Sequence, residues 1–168
     1  MSNLYIITGP AGVGKSTISR RIAESKNKSA LIEGDEIYHQ VVGGYVQAWK
    51  EGNHLDTFWK ICLSSIETYL EDGYDVIFNY IVSPENVELI KNKLKNHTIK
   101  FVVLVVDEKT LLLRDKERPE DCQMKERCIV LLNSFKNKKY DIKNILNTTN
   151  LSIEETINII ENTNQFIL

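Results

Sequence analysis

The chain alternates short apolar runs with longer amphipathic stretches. Four apolar runs, rich in β-branched and aromatic side chains, lie at residues 4–8, 29–33, 75–79 and 100–106. Runs of this length and composition predict buried strands. A shorter fifth strand is predicted around residues 144–147.

The stretches between these strands predict helices. Their apolar side chains recur near a 3.6-residue period or follow an N-capping residue, as at Ser83–Pro84 and at Ser152. The predicted helices cover residues 15–25, 55–70, 83–95, 108–117, a segment that opens at 119 and a segment that opens at 152. Residues 36–54 are predicted to be irregular, and the asparagine-rich tail after Glu161 is predicted to fray.

This order of strands and helices predicts an α/β protein with one domain over residues 1–168. Continuous apolar strands that alternate with amphipathic helices are typical of a parallel sheet with helices on both faces. The length of 168 residues suits one substantial core, and a hydrophobic content of 42% argues against a disordered chain.

Charge and cysteine usage narrow the class of protein. The formal net charge of -2 gives no support for a nucleic-acid or membrane-surface partner. No apolar run approaches the length of a membrane span, and the N terminus lacks the basic region of a signal peptide. The three cysteines, Cys62, Cys122 and Cys128, show no metal-binding spacing, so reduced thiols in the cytoplasm are predicted.

The strongest chemical signal is the pattern GxxxxGK[ST] between the first predicted strand and the first predicted helix. It is formed by Gly9, Pro10, Ala11, Gly12, Val13, Gly14, Lys15 and Ser16. Glycines allow backbone N–H groups to converge on phosphate oxygens, and the helix N terminus adds a favourable dipole. We expect Lys15 to reach the β- and γ-phosphates, Ser16 to bind Mg²⁺ and Thr17 to contact the α-phosphate. Because the base-reading motif NKxD of GTPases is absent, ATP is the predicted nucleotide.

With this loop, a second strand that ends before Gly34–Asp35 and a late arginine-rich helical segment, the chain resembles the small P-loop kinases. The gluconate kinase, shikimate kinase and chloramphenicol phosphotransferase types are similar in style. The resemblance implies a three-layer P-loop NTPase fold with a five-stranded parallel sheet in the order 2-3-1-4-5. It also implies a small helical lid, placed at about residues 112–128, and transfer of the γ-phosphate of ATP to a small molecule.

Charged residues follow the second strand and occupy the predicted lid. Asp35 lies at the carboxyl edge of the predicted sheet, where open α/β folds bind ligands. Its carboxylate would accept a proton from a substrate hydroxyl or help to hold Mg²⁺; the alternative is a helix cap, and the neighbouring Glu33 is the weaker candidate. Arg114 and Arg118 share one helix face, and Arg127 follows them. The resemblance places such arginines over the phosphates, where guanidinium groups neutralise the transferring charge.

Two further expectations come from the resemblance. The polar loop with Thr148 and Thr149 is expected beside adenine, with an ordinary turn as the alternative. The third strand is expected to end in an aspartate that helps to hold Mg²⁺, but this sequence has Asn79. An amide oxygen carries no charge. Either Asp35 then carries more of the metal binding, or Asn79 contacts the acceptor, or activity is weakened or lost.

The acceptor-side region is predicted at residues 36–62, where His39 and Trp49 are candidate contacts, with Asn79 and Arg127 as further candidates. The region carries no cluster of basic residues, which favours a neutral or hydroxylated small molecule. The predicted function is a small-molecule phosphotransferase that acts as a monomer or homodimer. One alternative is an ATP-binding regulatory or interaction protein with weak or no kinase activity. Another is a kinase that acts on a nucleotide-sugar, as the zeta-type toxins do.

Overall fold

The computed structural model describes residues 2–50, 52–120 and 123–168. Its centre is a five-stranded sheet in which every neighbouring pair of strands is parallel. The strands are β1 (Asn3–Thr8), β2 (Ser29–Glu33), β3 (Asp75–Asn79), β4 (Thr98–Val105) and β5 (Ile145–Asn147). Their spatial order is β2-β3-β1-β4-β5. The predicted fold class and strand order are therefore confirmed.

The helices connect the strands and cover both faces of the sheet. They are α1 (Lys15–Glu24), α2 (Gly34–Tyr38), α3 (His54–Glu71), α4 (Pro84–Lys93), α5 (Glu108–Lys116), α6 (Glu126–Asn137) and α7 (Ile153–Asn162), with a 3₁₀ turn at Ile142–Asn144. Ser83 and Ser152 each cap a helix through a reciprocal capping box, as their sequence contexts predict. Helix α2 extends into the segment that was predicted to be irregular and occupies its residues 36–38.

Alternate side chains of each strand point to opposite faces, so the sheet divides the apolar interior into two clusters. In β1, Leu4 and Ile6 belong to one cluster, and Tyr5 and Ile7 belong to the other. Helices α3 and α4 bury their apolar sides in the first cluster, and α1 and α7 do so in the second. Trp59 is buried in the first cluster, as its helical spacing predicts.

The cysteines that the structure describes behave as small core residues. Cys62 and Cys128 are free thiols, and each is buried in a different cluster. Burial raises the pKa of Cys62 to about 12, which keeps the thiol protonated. Cys122 lies outside the described residues. Among the described residues, no helix combines the length and apolarity that crossing a bilayer requires.

The predicted start of α6 at Pro119 is wrong, because the helix begins at Glu126. The chain before it wraps around the buried carboxylate of Asp115, which accepts hydrogen bonds from the backbone N–H groups of Met124 and Lys125. Lys125 has a φ of 50°, which is incompatible with a right-handed helix. A long-range side-chain contact thus overrides the local helical pattern.

The C-terminal tail does not fray as predicted. Phe166 is fully buried, and its carbonyl oxygen accepts a hydrogen bond of 2.9 Å from the backbone N–H of Phe101. The buried ammonium of Lys100 donates to the carbonyl oxygens of Ile160, Glu161 and Thr163 at the end of α7, over 2.7–3.0 Å. These contacts satisfy carbonyls that a helix C terminus otherwise leaves unpaired, and they hold the tail against β4.

Candidate active site

The GxxxxGK[ST] loop connects β1 to α1 at the carboxyl edge of the sheet. Gly9 has a φ of 147°, and a Cβ at this position would overlap the carbonyl oxygen of Leu104. Gly12 also has a positive φ, of 83°. A side chain would clash at Gly9 and would be strained at Gly12. Glycine at both positions lets the loop backbone curl as a phosphate cradle requires.

Lys15 lies inside this curl. Its ammonium group donates to the carbonyl oxygens of Gly9 at 3.0 Å and Pro10 at 3.1 Å. Desolvation lowers the pKa of Lys15 to about 8; the carboxylates of Asp35 and Glu33 oppose this fall, and the guanidinium group of Arg118 adds to it. Asp35 and Arg118 therefore lie close enough to Lys15 for their charges to affect its pKa, and their catalytic roles remain predictions.

Ser16 belongs to a hydrogen-bond chain that the sequence did not predict. The Asn79 side-chain N–H₂ donates to the Ser16 hydroxyl at 3.0 Å and also to the carboxylate of Glu33. The parallel register places Glu33 directly beside Asn79 on the neighbouring strand. Glu33 was judged the weaker neighbour of Asp35 because it continues the strand pattern. The Glu33 carboxylate nevertheless accepts a hydrogen bond from Asn79, and the relative importance of the two acidic residues remains a prediction.

The environment of Glu33 perturbs its acidity. Desolvation raises the pKa of its carboxyl, and the nearby Glu36 and Asp35 carboxylates act in the same direction. The hydrogen bond from Asn79 and the charge of Arg20 oppose that rise. A carboxylate that is disfavoured in this way gains from a cation placed beside it.

The donor set around Ser16 fits Mg²⁺. The Oδ1 atom of Asn79 is buried and has no hydrogen-bond partner among the described residues, and the Ser16 hydroxyl and the Glu33 carboxylate lie nearby. Mg²⁺ selects oxygen ligands and keeps several waters, so it needs few protein ligands. Among the described residues, no group of three or more histidine, cysteine, aspartate and glutamate side chains could hold a metal ion by itself. The set suits a magnesium–nucleotide complex better than a zinc site.

Asp35 is exposed in the first turn of α2, where Glu33 is the N-cap residue. The alternative role of Asp35 as the cap of a helix that begins at Glu36 is therefore wrong. Gly34 is required between the two carboxylates because a Cβ there would lie 2.5 Å from a ring carbon of Tyr80. The Tyr80 ring packs against Phe58 with centroids 4.5 Å apart. The start of α2 therefore packs against a pair of aromatic side chains.

The prediction that Arg114 and Arg118 share one helix face is wrong, because Arg114 lies in α5 and Arg118 follows two residues after its end. The two arginines also have different contacts. Arg114 donates to the carbonyl oxygens of Val13 at 2.9 Å and Thr148 at 3.2 Å, which ties the phosphate loop to the segment after β5. Arg118 forms an ion pair of 3.2 Å with Asp115, and its charge reaches Lys15. The expectation that both arginines contact the phosphates remains a prediction.

The threonines expected beside adenine are engaged within their own loop. Thr148 is buried, and its backbone N–H donates to the carbonyl oxygen of Val105 at 2.8 Å. The Thr149 hydroxyl donates to Asn147 Oδ1 at 2.7 Å and accepts from the backbone N–H of Asp107 at 2.9 Å. These contacts give the loop a fixed shape, and contact with adenine remains a prediction.

The acceptor-side candidates separate into two groups. His39 is exposed beside Tyr38 and Tyr45, with ring centroids 6.3 and 6.0 Å away. Trp49 is 69% exposed, and the guanidinium carbon of Arg127 lies 4.6 Å from its ring centroid. This cation–π contact joins the acceptor-side region to α6 in the predicted lid. Sequence spacing gave no sign of the pairing, because 77 positions separate the two residues.

A family model described as an AAA domain matches residues 6–138. The chain belongs to this AAA domain family. The matched range contains the phosphate loop, Asp35, Asn79, Arg114 and Arg118. No curated protein gives a significant match to the chain.

Solved structures share the fold of this AAA domain. A tunicamycin resistance protein from Deinococcus radiodurans is 17% identical with a TM-score of 0.67, over 95% of this chain and 94% of that chain. A sugar kinase from a Janibacter species is 12% identical with a TM-score of 0.66, over 94% and 91%. A gluconokinase from Sinorhizobium meliloti is 16% identical with a TM-score of 0.66, over 94% and 89%. The resemblance to the small P-loop kinases is confirmed at the level of fold.

Proposed function

We propose that this protein is an ATP-dependent phosphotransferase that moves the γ-phosphate to a hydroxyl group of a small molecule. The observation that carries the proposal is that Lys15 is held inside the phosphate loop, close enough to an acidic residue and an arginine for both charges to affect its pKa. Asp35 and Arg118 both act on the charge of Lys15. Phosphoryl transfer needs this arrangement, with an acceptor-side base, a phosphate-binding lysine and a cation that neutralises the moving group.

Each residue has a distinct role in the proposed reaction. The loop backbone and Lys15 bind the phosphates, and Arg118 neutralises charge on the moving group. The acceptor oxygen forms a bond to the γ-phosphorus while the bond from that phosphorus to ADP breaks, and Asp35 takes the hydroxyl proton. Ser16, Asn79 and the Glu33 carboxylate would hold Mg²⁺. When bound, Mg²⁺ supplies positive charge to the phosphate oxygens.

The acceptor is proposed to be uncharged. Aromatic side chains and carboxylates surround the start of α2, and the aromatic residues there include Tyr38, Tyr45 and Tyr80. An anionic acceptor would meet Asp35, Glu36 and Glu33 with like charge. One structural neighbour bears the name of a sugar kinase and another that of a gluconokinase. Hydroxyl-rich sugars and nucleosides are therefore the first acceptors to test, since their ring faces suit aromatic side chains.

A screen of ADP release tests the proposal. Purified protein with Mg²⁺ and ATP is incubated with sugars, sugar acids, nucleosides and alcohols of the aminoglycoside and phenicol types. Acceptor-stimulated release that is absent in the Lys15→Ala and Asp35→Asn variants is expected. ATP binding with no stimulation by any acceptor would count against a kinase. It would favour the second candidate, an ATP-binding regulatory or interaction protein, for which the uncharged amide of Asn79 is the supporting observation.

A further inference from the structure

Asp115 is a buried carboxylate in the last turn of α5, one residue after Arg114. It is 2% exposed. Its oxygens accept hydrogen bonds from the backbone N–H of Met124 at 3.0 Å, from that of Lys125 at 2.7 Å and from Arg118 Nη1 at 3.2 Å. A buried carboxylate is stable only when it is paired in this way, so Asp115 constrains each donor that it binds.

The same residue lies beneath the tip of the phosphate loop. A Cβ at Gly12 would lie 3.3 Å from Leu111 Cδ1, 3.7 Å from Cys128 Sγ and 3.9 Å from Asp115 Cβ. The loop tip therefore packs directly on α5 and the first turn of α6. Asp115 is the polar group at this junction, because the other two neighbours are buried in the second apolar cluster.

Arg118 depends on this junction for its direction. Its side chain is 36% exposed, whereas that of Asp115 is 3% exposed, so the carboxylate is the fixed partner of the pair. The guanidinium charge reaches Lys15 from this anchored position. An exposed arginine without such an anchor would sample many rotamers and would lose side-chain entropy each time it met a phosphate.

We propose that Asp115 is a positioning residue that holds Arg118 toward the γ-phosphate position and couples it to the tip of the phosphate loop and the start of α6. This inference rests on the proposed function, in which Arg118 neutralises the transferring group. It makes Asp115 part of the discrimination between ATP and ADP, although its carboxylate touches neither nucleotide.

Calorimetric titration with ADP and with a non-hydrolysable ATP analogue tests the proposal without any acceptor, so it remains decisive even if no kinase activity is found. The wild type is expected to prefer the analogue by roughly tenfold, the worth of one charge-assisted contact to the γ-phosphate. Asp115→Asn and Arg118→Ala should each remove most of that preference, with ADP affinity unchanged within about twofold. The double variant should lose no more than Arg118→Ala alone, because both changes remove one interaction.

Glu117→Gln is the matched control, since it makes the same acid-to-amide change at an exposed position of the same segment. It should behave as the wild type. Lys125→Gly provides a second background, because glycine accepts the positive φ of this position and supports the fold if Asp115→Asn alone proves unstable. Retention of the preference in Asp115→Asn or in Arg118→Ala would overturn the proposal. Multiplicative losses in the double variant, or an equal loss of ADP affinity, would also overturn it.

Discussion

The exchange of Asn79 for aspartate tests whether Glu33 belongs to the site. In the structure, the Asn79 amide donates to the Ser16 hydroxyl at 3.0 Å and to the Glu33 carboxylate, and the Asn79 side chain is almost fully buried. Asn79→Asp removes the donor and sets a second carboxylate against the first. Two carboxylates at hydrogen-bond distance cannot both ionise without a large loss of stability.

Asn79→Asp can respond in two ways: both carboxylates ionise and repel each other, or one of them takes up a proton. The less costly response sets the expected loss of unfolding free energy. Two unit charges about 3–4 Å apart repel by about 4–6 kcal/mol at an effective dielectric constant of about 20. Protonation of one carboxyl with an ordinary pKa of about 4.3 costs about 3–4 kcal/mol at pH 7. Proton uptake is therefore favoured, and the variant should lose about 3–4 kcal/mol of unfolding free energy at pH 7.

The pH dependence has a definite sign. The folded-state pKa of the carboxyl pair is raised above its unfolded value, as burial already raises the pKa of Glu33 in the wild type. The loss of unfolding free energy in Asn79→Asp is therefore small below about pH 4.3. It grows by about 1.4 kcal/mol per pH unit above that value, until both carboxyls ionise in the folded state. At pH 5 the variant should lie within about 1 kcal/mol of the wild type.

Urea unfolding in EDTA at pH 5 and pH 7 measures this effect. The double variant Glu33→Gln/Asn79→Asp supplies an amide donor from the other strand and should recover most of the stability at pH 7. Added Mg²⁺ should stabilise Asn79→Asp more than the wild type, because a cation beside Ser16 relieves the repulsion. An equal loss at both pH values, or an equal loss in the Glu33→Gln background, would refute the reasoning.

Three further predictions concern the loop, the acceptor side and the tail. The Kd for ATP should be constant below about pH 8 and should rise by up to tenfold per pH unit above it, because binding needs the protonated ammonium of Lys15. Calorimetry should show that Lys15→Ala lowers the ATP affinity and abolishes its dependence on pH. Trp49→Ala should raise the KM of an acceptor about two- to fivefold in steady-state kinetics with the ATP affinity unchanged, as expected for one exposed cation–π contact with Arg127. Lys100→Met should lower the urea-unfolding free energy by about 2–4 kcal/mol because three helix-terminal carbonyls lose their donor, whereas the exposed Lys93→Met should change it by less than about 1 kcal/mol.

The features that the sequence predicted well are contiguous along the chain. The strands are short apolar runs, the phosphate loop is an eight-residue pattern, and the caps at Ser83 and Ser152 involve residues three positions apart. The strand order was expected from a resemblance that the loop supports. In each case the local pattern and the tertiary structure agree, so no long-range contact had to be known.

The features that escaped prediction depend on contacts between distant residues. Asp115 determines where α6 begins, and Lys100 holds a tail that its composition marks as mobile. Neither residue stands out in the sequence, since an aspartate in a charged helix and a lysine at the first position of a predicted strand are ordinary. Their roles follow from burial, which forces a charged group to find several partners.

Asn79, at the end of β3, shows how the parallel register changes the interpretation of a single residue. An aspartate was expected there, and Asn79 by itself suggests a site that has lost a charge. The register sets Glu33 beside Asn79, and the amide connects that carboxylate to Ser16. The negative charge is thus retained one strand further from the phosphate loop, and Asn79 occupies the position between the carboxylate and the hydroxyl. Since Coulomb energy falls with distance, this arrangement should bind free Mg²⁺ weakly and rely on the nucleotide phosphates to bring the ion.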